Sequence, residues 1–274
     1  MFRVAVGLLF ALSLGACANG APGNRDAAPG STVEVVSQAD GTFTLLRNGE
    51  PYQVKGAGTG VGQGQGGGSL GVLAASGGKS IRTWGTEQLE QIVDGKPLID
   101  RAHELGVSVT AGFWVQHVRH GFDYSDPERI EAQRTRLREA VLKYKDHPAL
   151  LAWGLGNEME AFEPNVESEI IWRELNHLAG IIKELDPHHP VMTVISEAKP
   201  EKIDGILKFY PNVDILGVNS YSNGPSVGRN LVESGWTGPY MLTEFGVPGT
   251  WEVPVTPWNA PIEPDPSTKS AQYY

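Results

Sequence analysis

Two glutamates stand beside apolar segments, where a fold can hold carboxyl groups in fixed positions. Glu158 follows the apolar segment 150–155, and Glu244 lies within the later apolar segment 240–245. Two carboxyl groups can share the cleavage of a glycosidic bond, because one protonates the leaving oxygen while the other attacks or activates water. The two segments therefore predict an acid paired with a nucleophile or base.

Other side chains suited to binding follow segments of the same kind. The carboxyl ends of parallel strands meet at one mouth of a barrel, so side chains at these ends come together there. The aromatic residues are equally typical of barrel packing, and the arginine is also suited to a buried ion pair. The predicted substrate-binding set is Arg82, Trp84, Trp114, His117, Asn157, Asn219 and Tyr221.

The elements that must position these residues alternate between strands and helices. Seven apolar segments have centres roughly 31 residues apart, which is the period of a (β/α)₈ TIM barrel of about 250 residues. Amphipathic stretches separate them, and this alternation indicates an α/β fold with a parallel sheet. The predicted strands are Tyr52–Gly56, Ser80–Trp84, Val107–Phe113, Leu150–Leu155, Val191–Ile195, Val213–Val218 and Tyr240–Phe245.

Two helices have clear sequence signals. One opens with a predicted capping box from Ser125 to Glu128, with Pro127 in the first turn. Another runs from about residue 166 to residue 185 and ends before an Asp-Pro pair.

A doubly wound open sheet is the competing fold. Residues 62–67 satisfy the G-x-G-x-x-G pattern of dinucleotide-binding loops. However, the match lies inside GAGTGVGQGQGGG, where glycine is so dense that the pattern carries little information. The second predicted strand also ends in Arg-Thr-Trp and lacks the acidic residue that binds ribose. We therefore expect a loop above the barrel mouth here.

The regular spacing places an eighth strand near residue 274, where the sequence stops. Residues 267–274 are instead typical of the start of a helix. We interpret residues 33–274 as a barrel domain that is truncated before the eighth strand. A short β-hairpin precedes the barrel, with turn signals at residues 39–41 and 48–49.

The N-terminus has the composition of a processing segment. Arg3 precedes the apolar stretch 4–14, which is too short to span a bilayer but typical of a signal peptide. The small residues before Cys17 resemble a bacterial lipobox. We predict a lipoprotein signal over residues 1–17, lipidation of Cys17, a flexible tether over residues 18–32, and a lipid-anchored location in the bacterial cell envelope. A plain secretory signal is the alternative.

Composition excludes several other classes of function. The chain of 274 residues has 22 basic and 32 acidic residues, and its net charge of −10 argues against a nucleic-acid partner. Cys17 is the single cysteine, so no disulfide forms within the chain. The histidine pairs at 117 and 120 and at 188–189 lack cysteine or carboxylate partners at ligand spacing. We expect neither a metal nor a cofactor.

Four segments resemble one known family. HPALLAWGLGNE (147–158) and YMLTEFG (240–246) resemble the acid/base and nucleophile strands of clan-A glycoside hydrolases. Within this clan, the two sequences most resemble the TIM barrel of glycoside hydrolase family 2, which includes β-galactosidases, β-glucuronidases and β-mannosidases. NGEPYQVKG (48–56) and SIRTWG (80–85) resemble the first two strands of that barrel. The resemblance covers roughly residues 40–250.

The resemblance implies a role for each matching residue. Glu158 corresponds to the general acid/base and Glu244 to the nucleophile of a retaining mechanism, with carboxyl groups about 5–5.5 Å apart. Asn157 is expected to bind the sugar 2-hydroxyl, while Tyr221 and Arg82 keep the nucleophile ionised.

Some features depart from the family and leave alternatives open. Large members carry β-sandwich domains before the barrel and an aromatic residue on the final strand, so the sugar is not predicted. A transglycosylase acting on a β-glucan-like substrate and a noncatalytic carbohydrate-binding lipoprotein are the alternatives to a retaining hydrolase. Trp251 and Trp258, in a proline-rich loop, are suited either to stacking on sugars or to anchoring the loop.

Overall fold

The computed structural model describes residues 30–58, 68–160 and 168–271. The predicted signal segment with Cys17, most of the tether, the glycine-rich run 62–67 and the end of the last predicted helix lie outside these ranges. Within them, no helix is both long enough and apolar enough to cross a bilayer.

The chain begins with a small antiparallel sheet, as the turn signals predict. It consists of β1 (Val33–Ser37), β2 (Phe43–Arg47) and β3 (Glu50–Pro51). The turns fall at residues 39–40 and 48–49, and both agree with the sequence prediction.

Strands and helices then alternate along the chain. The strands are β4 (Gly56–Gly58), β5 (Ser80–Arg82), β6 (Ile92–Val93), β7 (Lys96–Pro97), β8 (Ser108–Phe113), β9 (Leu150–Leu155), β10 (Val191–Ser196), β11 (Ile215–Tyr221) and β12 (Tyr240–Gly246). The helices are α1 (Gly68–Ala75), α2 (Leu98–Glu104), α3 (Pro127–Tyr144), α4 (Ser168–Leu185), α5 (Pro200–Phe209), α6 (Val227–Glu233) and α7 (Pro266–Ala271).

Seven of these strands form one curved parallel sheet. Their order is β4-β5-β8-β9-β10-β11-β12, with every neighbouring pair parallel. The edge strands β4 and β12 approach each other without pairing, so the sheet is a nearly closed barrel. The structure thus confirms the TIM-barrel prediction, with seven of its strands among the described residues. The small antiparallel ribbon β6-β7 lies outside this sheet.

Burial explains why the barrel strands could be recognised. All six residues of β8 and all six of β9 are buried. Strands covered on both faces read as continuous apolar runs, since neither face needs polar side chains. The bounds of β9 agree fully with the prediction.

Several predicted boundaries differ from the structure, and at two of them the contacts give the reason. The first barrel strand was expected at Tyr52–Gly56, but β4 begins only at Gly56. The backbone N–H of Tyr52 instead donates to the carbonyl of Leu45 and continues the antiparallel sheet. At α3, the cap is Asp126, whose carboxylate accepts from the N–H groups of the two residues after Pro127.

The N-terminal hairpin covers the amino end of the barrel. Val35 and Leu45 pack with Met241 against a buried cluster of barrel residues. The N–H of Val33 donates to the carbonyl of His188 just before β10. This packing seals the end of the barrel at which β10 and β11 begin. The sealing cluster consists of Met192, Val194 and Ile215.

A buried polar network ties this hairpin segment to the barrel. His189 lies between Ser31, whose Oγ is 2.9 Å from Nε2, and Asp186, whose carboxylate is 2.9 Å from Nδ1. Asp186 also accepts from Trp153 Nε1 at 2.7 Å. Burial acts to raise the pKa of Asp186, but its hydrogen bonds from His189, Trp153 and the His188 N–H outweigh burial and hold this pKa below 3.8. The ionised carboxylate therefore stabilises the folded chain.

We expect Asp186→Ala to lower the free energy of unfolding by about 3 kcal/mol, because it leaves buried donors on Trp153 and His189 without an acceptor. Urea unfolding followed by circular dichroism measures this loss. The lowered pKa means that the carboxylate stabilises the fold above its unfolded pKa, and that this contribution fades as the pH falls through the folded pKa. The difference between wild type and variant should thus shrink in acid.

Asp100→Ala is the matched control. Asp100 also contacts a histidine, His147, but its side chain is 52% exposed. Exposed pairs contribute about 0–1 kcal/mol. Equal losses in the two variants would contradict a special role for the buried network.

Candidate active site

The opposite end of the barrel carries a connected set of polar side chains. Arg82, at the end of β5, donates from Nη2 to Glu244 Oε1 at 2.5 Å and from Nη1 to Asn157 Oδ1 at 3.3 Å. Tyr221, at the end of β11, donates its hydroxyl to Glu244 Oε2 at 3.0 Å. Each carboxylate oxygen of Glu244 therefore accepts one hydrogen bond from a different strand.

Glu158 is held by a separate donor. Asn219 Nδ2 lies 2.7 Å from Glu158 Oε1 and 3.3 Å from Asn157 Oδ1. Asn219 in turn accepts at Oδ1 from Thr243 Oγ1 at 2.7 Å, which fixes the orientation of its amide. The two glutamates thus belong to one network, yet each has its own donors.

A β-bulge allows neighbouring residues of β12 to serve this network. Val218 pairs with Leu242, but Asn219 pairs with Glu244, so Thr243 is an extra residue in β12. Successive residues of a regular strand point to opposite faces. The bulge breaks this alternation, and both Thr243 and Glu244 contact the site.

Left-handed backbone conformations end the strands that carry the site. Glu158 has φ 49° and Glu197 has φ 50°, a region that residues other than glycine rarely adopt. The N–H of Glu158 donates to Val194 and that of Glu197 to Asn219, so each turn is attached to the next strand. These bonds hold the strained conformation, which proteins concentrate at functional sites.

Burial and charge set the state of the groups around Glu244. Burial, followed by the nearby charge of Glu244 and the hydrogen bond to it, raises the pKa of Tyr221 to about 12. The phenol therefore remains a donor at neutral pH. Burial lowers the pKa of Arg82, while the Glu244 carboxylate opposes this change. The arginine stays charged, since its ordinary pKa is far above neutrality.

Trp84 and a cavity lie next to the Arg82–Glu244 pair. The Arg82 guanidinium sits over the Trp84 ring, 5.0 Å from its centroid, which is a cation–π contact. A cavity of about 640 Å³ lies between the two edges of the sheet. Its lining includes Trp84, Arg82, Tyr221 and Glu244, so it gives a ligand access to the nucleophile candidate.

Trp114 and His117 form a neighbouring aromatic cluster. Their ring centroids are 5.1 Å apart, and Trp114 also stacks on His120 at 6.2 Å. The backbone of Asn157 is a hydrogen-bond partner of the His117 ring. Burial, together with Arg119 and His120, lowers the pKa of His117 to about 4, so its imidazole is neutral at physiological pH. The cluster therefore reaches the network through Asn157.

A buried ion pair near Glu158 was missed. From its position in the sequence, Glu160 is expected to be a loop charge or a hydrogen-bonding residue of a sugar subsite, but its side chain is only 6% exposed and lies 3.1 Å from Lys202 Nζ. It also accepts from the N–H of Ser196 at the end of β10. Burial raises the pKa of Glu160 despite Lys202. The position of Glu160, two residues after Glu158, does not predict its contact with Lys202. Glu163 lies outside the described residues.

The structure brings most of the predicted site together. Arg82, Asn157, Glu158, Asn219, Tyr221 and Glu244 share one network, with Trp84 against it and Trp114 and His117 beside it. Thr243 lies in the YMLTEFG segment, but its contact with Asn219 was not predicted. Among the described residues, no group of three or more His, Cys, Asp or Glu could hold a metal ion.

Parts of this chain are similar in sequence to known proteins. A β-glucuronidase from Sus scrofa is 28% identical over 137 residues, which is 49% of this chain and 18% of that protein. A probable mannan endo-1,4-β-mannosidase C from Aspergillus terreus is 30% identical over 82 residues, 26% of this chain and 20% of that protein. The chain thus spans a fifth or less of the length of these curated relatives.

Solved structures show the same fold at low identity. The β-D-glucuronidase of Dictyoglomus thermophilum has a TM-score of 0.61 at 19% identity, covering 89% of this chain and 43% of that one. The Bacteroides uniformis β-glucuronidase has a TM-score of 0.60 at 18% identity, covering 78% of this chain and 27% of that one.

A family model described as "Glycosyl hydrolases family 2, TIM barrel domain" matches residues 91–248. The matched range contains both Glu158 and Glu244. Because it spans more than half of the chain, this chain belongs to family 2 of the glycosyl hydrolases, through its TIM barrel domain.

Proposed function

We propose that this chain is a retaining glycosidase that cleaves a β-glycosidic bond by double displacement. The observation that supports this most is the division of donors between the two glutamates. Glu244 accepts from Arg82 and Tyr221, whereas Glu158 accepts from the neutral amide of Asn219. Arg82 brings a positive charge to the Glu244 carboxylate, whereas the Asn219 amide brings no charge to Glu158.

In the first step, the Glu244 carboxylate attacks the anomeric carbon. The bond to the leaving oxygen breaks, and Glu158 gives its proton to that oxygen. Glu244 suits the role of nucleophile, because Arg82 and the Tyr221 hydroxyl hold its two carboxylate oxygens in fixed positions beside the cavity. We assign the binding of the sugar 2-hydroxyl to Asn157, whose Oδ1 accepts from Arg82 and Asn219.

In the second step, water attacks the glycosyl–Glu244 ester. Glu158, now ionised, takes a proton from the water, and the sugar leaves with its original anomeric configuration. This route requires the carboxyl groups of Glu158 and Glu244 to lie about 5–5.5 Å apart, and we predict that separation.

The substrate class and location are further parts of the proposal. The names of the relatives, a β-glucuronidase and a mannan endo-1,4-β-mannosidase, support a β-linked sugar substrate. Lipidation of Cys17 in the bacterial cell envelope rests on the sequence of the first 17 residues.

A covalent adduct tests the mechanism directly. We expect an activated 2-fluoro β-glycoside, from a panel of sugars, to label Glu244, as found by intact mass spectrometry and peptide mapping. Glu244→Ala should lower turnover of activated aryl β-glycosides roughly 10⁵-fold, the scale seen for removal of a nucleophile, while sugar binding is largely retained. Glu244→Gln keeps the hydrogen-bonding shape beside Arg82 and should show the same loss.

Glu184→Ala, at an exposed position of α4, is the control for general effects of removing a carboxylate. Turnover that persists in both Glu244 variants would contradict the mechanism. Binding of sugars without turnover by the wild type would favour the noncatalytic alternative.

The Tyr221 hydroxyl gives a second test. Its pKa is raised to about 12, because burial and the charge of Glu244 both disfavour the phenolate, so it should ionise well after a solvent-exposed tyrosine. The difference in absorbance near 295 nm between wild type and Tyr221→Phe, followed against pH, measures this pKa. In Glu244→Gln it should move toward 10.0. A difference signal centred near pH 10 in the wild type would mean that the hydroxyl does not donate to a charged Glu244.

Lipidation has its own test. Wild-type protein produced in bacteria with labelled palmitate should carry the label and fractionate with membranes, whereas Cys17→Ser should carry none. A wild-type protein that is exported without label would support the plain secretory signal.

A further inference from the structure

One exposed aromatic residue lies against the site. The Trp251 side chain is 71% exposed, and its ring meets the Tyr221 ring edge to face, with centroids 5.3 Å apart and planes at 86°. Tyr221 is the donor to Glu244. The indole surface therefore begins one side chain away from the proposed nucleophile.

Local contacts hold the backbone of Trp251 in place. The N–H of Gly249 donates to Glu252 Oε2 at 2.9 Å, and the N–H of Glu252 donates back to the Gly249 carbonyl at 2.9 Å. The same Glu252 oxygen accepts from Ser222 Oγ at 3.3 Å, which links the loop after β12 to the loop after β11. The turn is thus fixed at two points, next to the site.

Gly249 lets the indole lie close to its own turn. A Cβ at this position would come within 2.3 Å of the Trp251 ring, so a larger residue would displace the ring. The Tyr221 ring also contacts the indole. Most of the ring stays in water although it is supported from two sides. The exposed ring is therefore held in place next to the site.

We propose that Trp251 is a stacking platform for a second sugar ring, so that the chain acts on glycans of two or more sugars. The C–H face of a pyranose is flat and weakly positive, and it matches the negative face of an indole. Ser222 and Glu252 border the platform and can exchange hydrogen bonds with sugar hydroxyls. This inference rests on the proposed function, because the first sugar must occupy the site of Glu158 and Glu244.

The test compares substrates of different length. The probes are 4-nitrophenyl β-glucoside and β-mannoside, together with β-1,3-gluco-, β-1,4-gluco- and β-1,4-manno-oligosaccharides of two to six sugars. We expect Trp251→Ala to raise KM for the oligosaccharides roughly tenfold, the scale of one aromatic contact, and to change kcat/KM for the monosaccharide glycosides less than twofold. Trp251→Phe should restore most of the loss.

Trp258→Ala is the matched control, since Trp258 lies in the same loop and is 76% exposed. It should leave both classes of substrate unchanged. Equal losses on short and long substrates in Trp251→Ala would overturn the inference, because they would show that Trp251 only supports Tyr221. Unchanged oligosaccharide kinetics in Trp251→Ala would overturn it as well, while leaving the glycosidase proposal intact.

A binding measurement separates the two proposals. In the Glu244→Gln background, titration calorimetry should show weaker oligosaccharide binding when Trp251 is also replaced by alanine. If the wild type turns over no substrate but binds oligosaccharides through Trp251, the proposed function and the action on glycans both fail, and Trp251 is a binding platform only. If the wild type neither binds nor cleaves any probe, both proposals fail.

Discussion

The ion pair between Arg82 and Glu244 is the contact on which the candidate site depends. The two side chains are 8% and 21% exposed, and removing charges from water is costly unless they are paired. The pair spans the gap between the two edges of the sheet, because β4 lies between Arg82 and the open edge. β4 is Gly56-Ala57-Gly58 and so offers one methyl group. A Cβ at Gly58 would come within 3.0 Å of the Trp84 ring, so this glycine leaves room for the ring over which the guanidinium sits.

The strands that carry the site end in a repeated way. Glu158, Glu197 and Ser222 follow three successive barrel strands and all have positive φ. The N–H of each donates to a carbonyl on the next strand, namely to Val194, Asn219 and Gly246. Each turn is therefore attached to the neighbouring strand.

The barrel could be predicted from the sequence, but some contacts of its site could not. β9 was predicted with its full bounds, because a strand buried on both faces needs no partner information to be recognised. The predicted start of β4 was wrong, because Tyr52 pairs with Leu45 of the antiparallel sheet. No local signal distinguishes a strand of that sheet from a barrel strand. The contact of Thr243 with Asn219 depends on a bulge, and the contact of Glu160 with Lys202 joins residues 42 positions apart. Such contacts follow from how strands align, which residue types alone do not encode.

The two ends of the barrel show that access, more than residue type, decides what polar groups do. Ser31, His189 and Asp186 have the order of contacts found in hydrolase nucleophile triads. All three are nearly inaccessible, so no substrate can reach Ser31 Oγ and the group can only hold the hairpin to the barrel. At the other end Glu244 faces a cavity and Trp251 faces water. In this architecture, residues at the amino end of the barrel contribute to stability and residues at the carboxyl end form the site. The length of the strands keeps the two ends apart.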